Sequence, residues 1–236
     1  MLIVQLISGY TQTEEIWNGT QELREKIIAE LDDYSSLSVR VRLGKWNDNW
    51  KEQARQLYML RERYADEKFT VVVFAYSWGV GNGLVKFAKH LDRFGIDVQT
   101  AVVSDPIYRH WFIPRNLRVL WGDTRITLPP NVKAIEGYYQ RTSQPMGRTP
   151  VSSTAKCDPW TLLRLPHVEM DDARSWHRRC IEVAKEYAAS SVGSKQNVPA
   201  TAPITQATVE MERQVSEESQ EAPAKKNFTN TSNPDQ

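Results

Sequence analysis

The chain has 236 residues, a mass of 27.2 kDa and a hydrophobic content of 40%, which fits one or two globular domains. Thirty basic side chains against 29 acidic ones leave a formal net charge of +1, and this balance removes the compositional case for a nucleic-acid partner, which calls for a basic excess to meet phosphate. Two cysteines, Cys157 and Cys180, are too few for a disulfide framework or a cysteine-rich zinc site. No run approaches the ~20 apolar residues that span a bilayer.

The first residues, Met1 to Ile7 (MLIVQLI), are apolar but lack a basic leader and a small-residue cleavage site, so they read as a buried strand rather than a signal peptide. The expectation is a cytoplasmic protein with a small-molecule substrate and no membrane span. Without secretion, the sequons at Asn18, Asn227 and Asn230 read as chance matches.

In chain order, Leu2 to Ile7 is a strand and Gln21 to Leu31 a helix, with Leu23, Ile27, Ile28 and Leu31 at helical spacing. Ser38 to Leu43 alternates polar with apolar, as a half-exposed strand does. Trp50 to Tyr64 returns to helix, with Ala54, Leu57, Leu60 and Tyr64 on one side. Phe69 to Phe74 (FTVVVF) is a continuous β-branched apolar run, the pattern of a central parallel strand. Gly83 to Leu91 is helical, and Val98 to Val103 is another buried strand.

A long proline-bearing stretch follows, with strand candidates at Leu117 to Leu120 and Val132 to Tyr139, before a last helix at Asp172 to Tyr187. The alternation predicts an α/β fold over residues 1–188, a mainly parallel sheet with helices on both faces. From residue 189 to 236 the chain turns to Ser, Thr, Gln, Pro, Glu and Ala. It is expected to be a disordered, low-complexity tail of unknown partner, because its apolar content cannot offset an ordering cost of roughly 1–2 kcal/mol per backbone residue.

The segment that carries chemistry is Phe74-Ala75-Tyr76-Ser77-Trp78-Gly79, between the most apolar strand and a helix. A serine there sits on a tight strand-to-helix turn with its hydroxyl above the carboxyl edge of the sheet. The small neighbours Ala75 and Gly79 leave room for strand and helix to approach. Ala75 stands where the usual pattern has Gly.

On these residues the sequence resembles the α/β-hydrolase superfamily, in particular its small esterase- and lipase-like members. The resemblance implies a Ser, Asp/Glu and His triad in that chain order, with Ser77 as nucleophile. Ser104-Asp105-Pro106, after the next strand, is similar to the acid position of some lipases in the family. Asp123 in Trp121-Gly122-Asp123 is the rival acid and Asp158 a third.

Of the four histidines, His90 lies within a helix, His110 falls early for the family order and His177 lies in the last helix. His167, in a late loop before that helix, is where the family carries its general base. The resemblance also implies an oxyanion hole from the backbone N–H groups of Trp78 and Tyr10, the latter in Ser8-Gly9-Tyr10-Thr11, where Ser8 replaces the family's His. It implies no cofactor and no metal.

Trp46, Trp50, Trp78, Trp111, Phe112, Tyr138 and Tyr139 fall in stretches expected at the carboxyl edge. Tyr108 to Pro114 could line a small apolar pocket, although core packing competes as an explanation for many of these rings. The expected activity is cleavage of a small or modest ester, thioester or amide. Two other readings compete. One is a non-catalytic scaffold of the same fold. The other is nucleotide binding through Gly79-Val80-Gly81-Asn82-Gly83, although this run has neither G-x-G-x-x-G spacing nor a P-loop lysine.

Overall fold

In a computed structural model, residues 1–10, 12, 17–34, 39–108, 125–157 and 160–193 are described. The strands are β1 (Leu2–Ser8), β2 (Val39–Lys45), β3 (Thr70–Tyr76), β4 (Val98–Ser104), β5 (Ala134–Gln140), β6 (Lys156–Cys157) and β7 (Thr161–Leu163). The helices are α1 (Gly19–Leu31), α2 (Trp50–Arg63), α3 (Val85–Asp92) and α4 (Arg174–Gly193). One sheet runs in the order β2-β1-β3-β4-β5-β6, with β7 also pairing β5, and every pairing is parallel.

The two faces of the sheet follow from the period-2 alternation of side chains. Ile3, Ile7, Val71, Val73, Ala75, Ala101 and Val103 point to one face, where Ala54 and Leu57 of α2 and Phe87, Ala88 and Leu91 of α3 cover them. Leu2, Val4, Leu6, Val72, Phe74 and Val102 point to the other, under Leu23 and Ile27 of α1 and Trp176, Cys180 and Val183 of α4. β1 and β3 are buried throughout, which is why both are mostly apolar, with Gln5, Ser8 and Thr70 as buried polar exceptions. The fold is the α/β architecture expected, a parallel sheet with helices on both faces.

Several details differ from the sequence reading. Ile28, placed on the apolar side of α1, is 38% exposed, because the buried stripe follows Leu23, Ile27 and Leu31 alone. Asn18 of the first sequon caps α1, its side chain accepting from the Thr20 and Gln21 N–H groups.

The helix after β3 begins earlier than Gly83, as a π-helical turn over Gly79–Leu84. β5 starts at Ala134 and reaches Gln140, because Val132 is spent on an isolated bridge to Val98. α4 runs on through Ala189 to Gly193, where Ser190 and Ser191 turn their hydroxyls back to the Tyr187 carbonyl at 2.9 and 2.8 Å. The strand expected at 117–120 and the tail beyond Gly193 lie outside the described residues.

Candidate active site

β3 ends at Tyr76, and Ser77 turns the chain into the helical segment with φ +54°. That left-handed value is costly for a residue with a side chain and persists only where its surroundings enforce it. The enforcing bonds are Ser77 N–H to the Ser104 carbonyl at 2.9 Å, and Ile107 and Val80 N–H to the Ser77 carbonyl at 3.0 and 3.1 Å. The helix then passes so close to β1 that a Cβ on Gly79 would lie 2.6 Å from the Ile7 oxygen and 2.7 Å from that of Ser8.

The other glycines of the run have similar steric reasons. A Cβ on Gly81 would meet the Ile107 oxygen at 2.2 Å, and one on Gly83 the Ile7 side chain at 2.6 Å. These glycines serve close packing, which removes the motive for reading them as a phosphate cradle.

Asp105 follows β4, has φ +41° and is fully buried. Burial of a carboxylate is expensive unless its oxygens are hydrogen-bonded, and four N–H groups converge on this one. Oδ2 lies 2.6 Å from His167 Nδ1 and accepts from Gln140 Nε2 at 3.0 Å. Oδ1 accepts from Gly147 N–H at 3.0 Å and Gln140 N–H at 3.3 Å. A Cβ on Gly147 would lie 2.0 Å from Oδ1, so only glycine brings its N–H this near.

His167 opens a short 3₁₀ turn, His167–Glu169, after β7. Its Nε2 is 3.0 Å from Ser77 Oγ. Its backbone is held at both ends, N–H to Ser143 Oγ at 2.7 Å and carbonyl to the Tyr76 hydroxyl at 2.6 Å. The Tyr76 ring stacks on the imidazole at 5.3 Å and 24°. The result is a continuous hydroxyl–imidazole–carboxylate chain, Ser77–His167–Asp105. An imidazole whose Nδ1–H is fixed by a carboxylate presents an unprotonated Nε2, which can take a proton from the hydroxyl as that oxygen attacks an electrophile.

The loop after β1 borders the same point. A Cβ on Gly9 would lie 3.2 Å from Ser77 Cβ. Among the described residues, neither the Tyr10 nor the Trp78 backbone N–H has an acceptor outside helix or strand ladders. The Tyr10 ring packs on Trp78 at 4.7 Å and Trp46 at 5.3 Å, and the two indoles stack at 4.5 Å and 2°.

No protein-family model and no curated protein matches this chain. Solved structures do. A Xanthomonas campestris pv. campestris protein named as a hydrolase of the alpha/beta superfamily matches with 10% identity over 78% of this chain and 97% of its own, TM-score 0.47. The peroxisomal alpha-beta-hydrolase of Saccharomyces cerevisiae matches with 11% identity over 95% and 86%, TM-score 0.44. A thioesterase of the prodiginine biosynthetic pathway in Streptomyces coelicolor matches with 11% identity over 78% and 85%, TM-score 0.41. Two of these are named as alpha/beta hydrolases and the third as a thioesterase. All three are distant in sequence.

Of the residues expected in an α/β-hydrolase site, Ser77, Asp105 and His167 meet. Asp123, Asp158 and His110 lie outside the described residues, as do Trp111 and Phe112. His90 is on α3. His177 is buried on α4 with Nε2 2.6 Å from the Asp171 carbonyl, and burial holds its pKa below the ordinary value.

The aromatic residues divide. Trp46 and Trp78 stack beside Ser77, whereas Trp50 is core against Phe87 at 5.3 Å. Tyr138 donates to the Ser175 carbonyl at 3.2 Å and Tyr139 lies under Arg141 at 4.8 Å. Tyr108 packs on the core. Among the described residues no group of three or more His, Cys, Asp or Glu side chains is arranged to hold a metal ion. The supporting residues Gln140, Ser143 and Gly147 carry no sequence motif, because each acts through loop and strand-end geometry, and Tyr76 lies inside the Ser77 motif without a role that the motif assigns.

Proposed function

We propose that this protein is a serine hydrolase that cleaves a small or modest ester, thioester or amide through an acyl-enzyme. The observation that carries the reading is the chain from Ser77 Oγ, 3.0 Å from His167 Nε2, through Nδ1 to Asp105 Oδ2 at 2.6 Å, with the serine held at φ +54°. Ordinary surface serines have no such base, and no such strain.

Ser77 Oγ attacks the substrate carbonyl while His167 Nε2 takes its proton. Asp105 holds the tautomer and stabilises the imidazolium. The carbonyl oxygen becomes an oxyanion, received by the Tyr10 and Trp78 N–H groups; one such donor is typically worth about 2.7–4 kcal/mol in the transition state. His167 returns the proton to the leaving group. It then activates water to release the acid and restore Ser77. The Tyr10, Trp46 and Trp78 rings supply an apolar wall for the acyl or alcohol portion.

The test is turnover of short-chain p-nitrophenyl esters and of an acyl thioester. Ser77→Ala and His167→Ala should each lower kcat by about 10³-fold or more. Turnover that survives Ser77→Ala would refute the assignment. A folded wild type without any turnover would leave the non-catalytic scaffold as the better reading.

A further inference from the structure

Asp171 is a buried carboxylate that the chemistry above leaves unused. It lies between the His167–Glu169 turn and α4 and is 5% exposed. Desolvation, together with the adjacent Asp172 charge, pushes its pKa up to about 6, so its ionised form is held at a cost. Its Oδ2 accepts from the Gly19 N–H at 3.0 Å and from the Gln12 side-chain amide. A Cβ on Gly19 would stand 2.4 Å from both the Asp171 carbonyl oxygen and Asp172 Oδ1, so the start of α1 is pressed directly onto this segment.

Gln12 carries the contact onward. Its Oε1 accepts from the Gly9 N–H at 2.9 Å and from Thr20 Oγ1 at 3.0 Å, and its own N–H donates to the Gly9 carbonyl at 3.3 Å. Gly9 is therefore gripped at both its N–H and its C=O by one residue. It is also the residue that borders Ser77, and the next N–H along the chain is that of Tyr10. With the side-chain amide anchored by Asp171, the peptide after Gly9 has little freedom to swing.

We propose that Gln12 and Asp171 are positioning residues that, by clamping Gly9, aim the Tyr10 N–H at the oxyanion. The proposal rests on the serine-hydrolase reading. Both residues lie outside the Ser77–His167–Asp105 chain, and the clamp gives the buried Asp171 carboxylate its role.

The test compares wild type, Gln12→Ala, Asp171→Ala, Asp171→Asn and Thr20→Val on p-nitrophenyl butyrate, with phenylboronic acid as a tetrahedral mimic. Complete loss of one oxyanion donor costs about 10²–10³ in kcat, so a misaimed donor should cost about 10- to 100-fold. That loss is expected in kcat for Gln12→Ala and Asp171→Ala, with KM near wild type and boronate inhibition weakened in parallel. Asp171→Asn keeps an acceptor oxygen for Gln12 and Gly19 and should stay within about threefold. Thr20→Val deletes only the hydroxyl bond to Gln12 Oε1 and should do the same.

A merely structural role would lower the melting temperature without this division between kcat and KM. If Asp171→Ala does not fold, Gln12→Ala, a substitution at a half-buried loop position, carries the test. A folded Gln12→Ala with kcat within threefold of wild type overturns the proposal and leaves the hydrolase reading standing. A wild type that neither turns over ester nor reacts with a fluorophosphonate overturns both.

Discussion

Replacing Asp105 with asparagine changes one atom, and its consequence can be worked out from the hydrogen bonds around the carboxylate. Four N–H groups point at it: His167 Nδ1 and Gln140 Nε2 at Oδ2, and Gly147 N and Gln140 N at Oδ1. An amide offers an acceptor to only one of these pairs. With its NH₂ toward the backbone pair, two N–H groups that cannot rotate face a donor. With its NH₂ toward His167, the imidazole can adopt the other tautomer and accept, which leaves only Gln140 Nε2 facing a donor. Gln140 cannot flip to relieve this, because its Oε1 is already taken by Thr142 N–H at 2.7 Å and Ser143 N–H at 2.9 Å. Its Nε2 keeps the Ser143 and Pro145 carbonyls at 3.0 and 2.9 Å, so the donor left without an acceptor is one N–H of the new amide.

Each buried donor left without an acceptor costs about 1–3 kcal/mol, so the second orientation wins. It puts the ring proton on Nε2, aimed at Ser77 Oγ, where it blocks the base. Loss of the correct tautomer in a Ser-His-Asp triad costs about 10⁴-fold in kcat, or about 5 kcal/mol of barrier. Ester turnover measures the rate, ¹⁵N resonances of the His167 ring report the tautomer, and urea unfolding should register a loss of about 1–3 kcal/mol. A folded Asp105→Asn variant within tenfold of wild-type kcat would refute the reasoning.

Other outcomes follow from the same contacts. Asp171 has its pKa raised from 3.8 to about 6 in the folded chain. Its protonated form therefore favours folding, and stability declines as pH rises through this interval. The decline comes to about 3 kcal/mol at most. Asp171→Asn, which cannot ionise, should gain on wild type between pH 4.5 and pH 7.5 in urea melts, whereas parallel curves would refute the assignment. Gly79→Ala drives a methyl against the Ile7 and Ser8 carbonyls; overpacking of this kind costs typically 1–3 kcal/mol, and a variant that melts with wild type would contradict the close approach. Of the two free thiols, exposed Cys157 should react with Ellman's reagent in the native protein. Buried Cys180, its pKa pushed up by desolvation, should react only on unfolding.

The parts of the fold that sequence revealed are those where one physical term dominates. Leu2 to Ile7 and Phe69 to Phe74 are predominantly apolar because both faces of a central parallel strand are covered. The turn around Ser77 is legible because strand and helix approach closely there and need small neighbours: a Cβ on Gly79 would lie 2.6 Å from the Ile7 oxygen.

What stayed hidden depends on relations between distant residues. Chain order favours Asp105 and leaves Asp123 as its rival; what surrounds Asp105 is visible only in the folded chain, where Gln140 at the end of β5 and Gly147 in the loop beyond it meet the carboxylate. Gln140 carries no signal of its own, being a polar residue at a strand end until the loop 141–147 folds around it. Trp50 and Trp46, four positions apart, look alike in sequence, yet one fills the core and the other stacks on Trp78. The end of α4 was masked by composition, because Ala-Ala-Ser-Ser reads as low complexity while alanine favours helix.

The most direct measurement of the central claim is labelling of the intact protein with a fluorophosphonate, read by intact mass and peptide mapping. The account predicts one adduct, on Ser77, absent in Ser77→Ala and greatly slowed in His167→Ala. A folded wild type that remains unlabelled, or an adduct that maps to another residue, would contradict it.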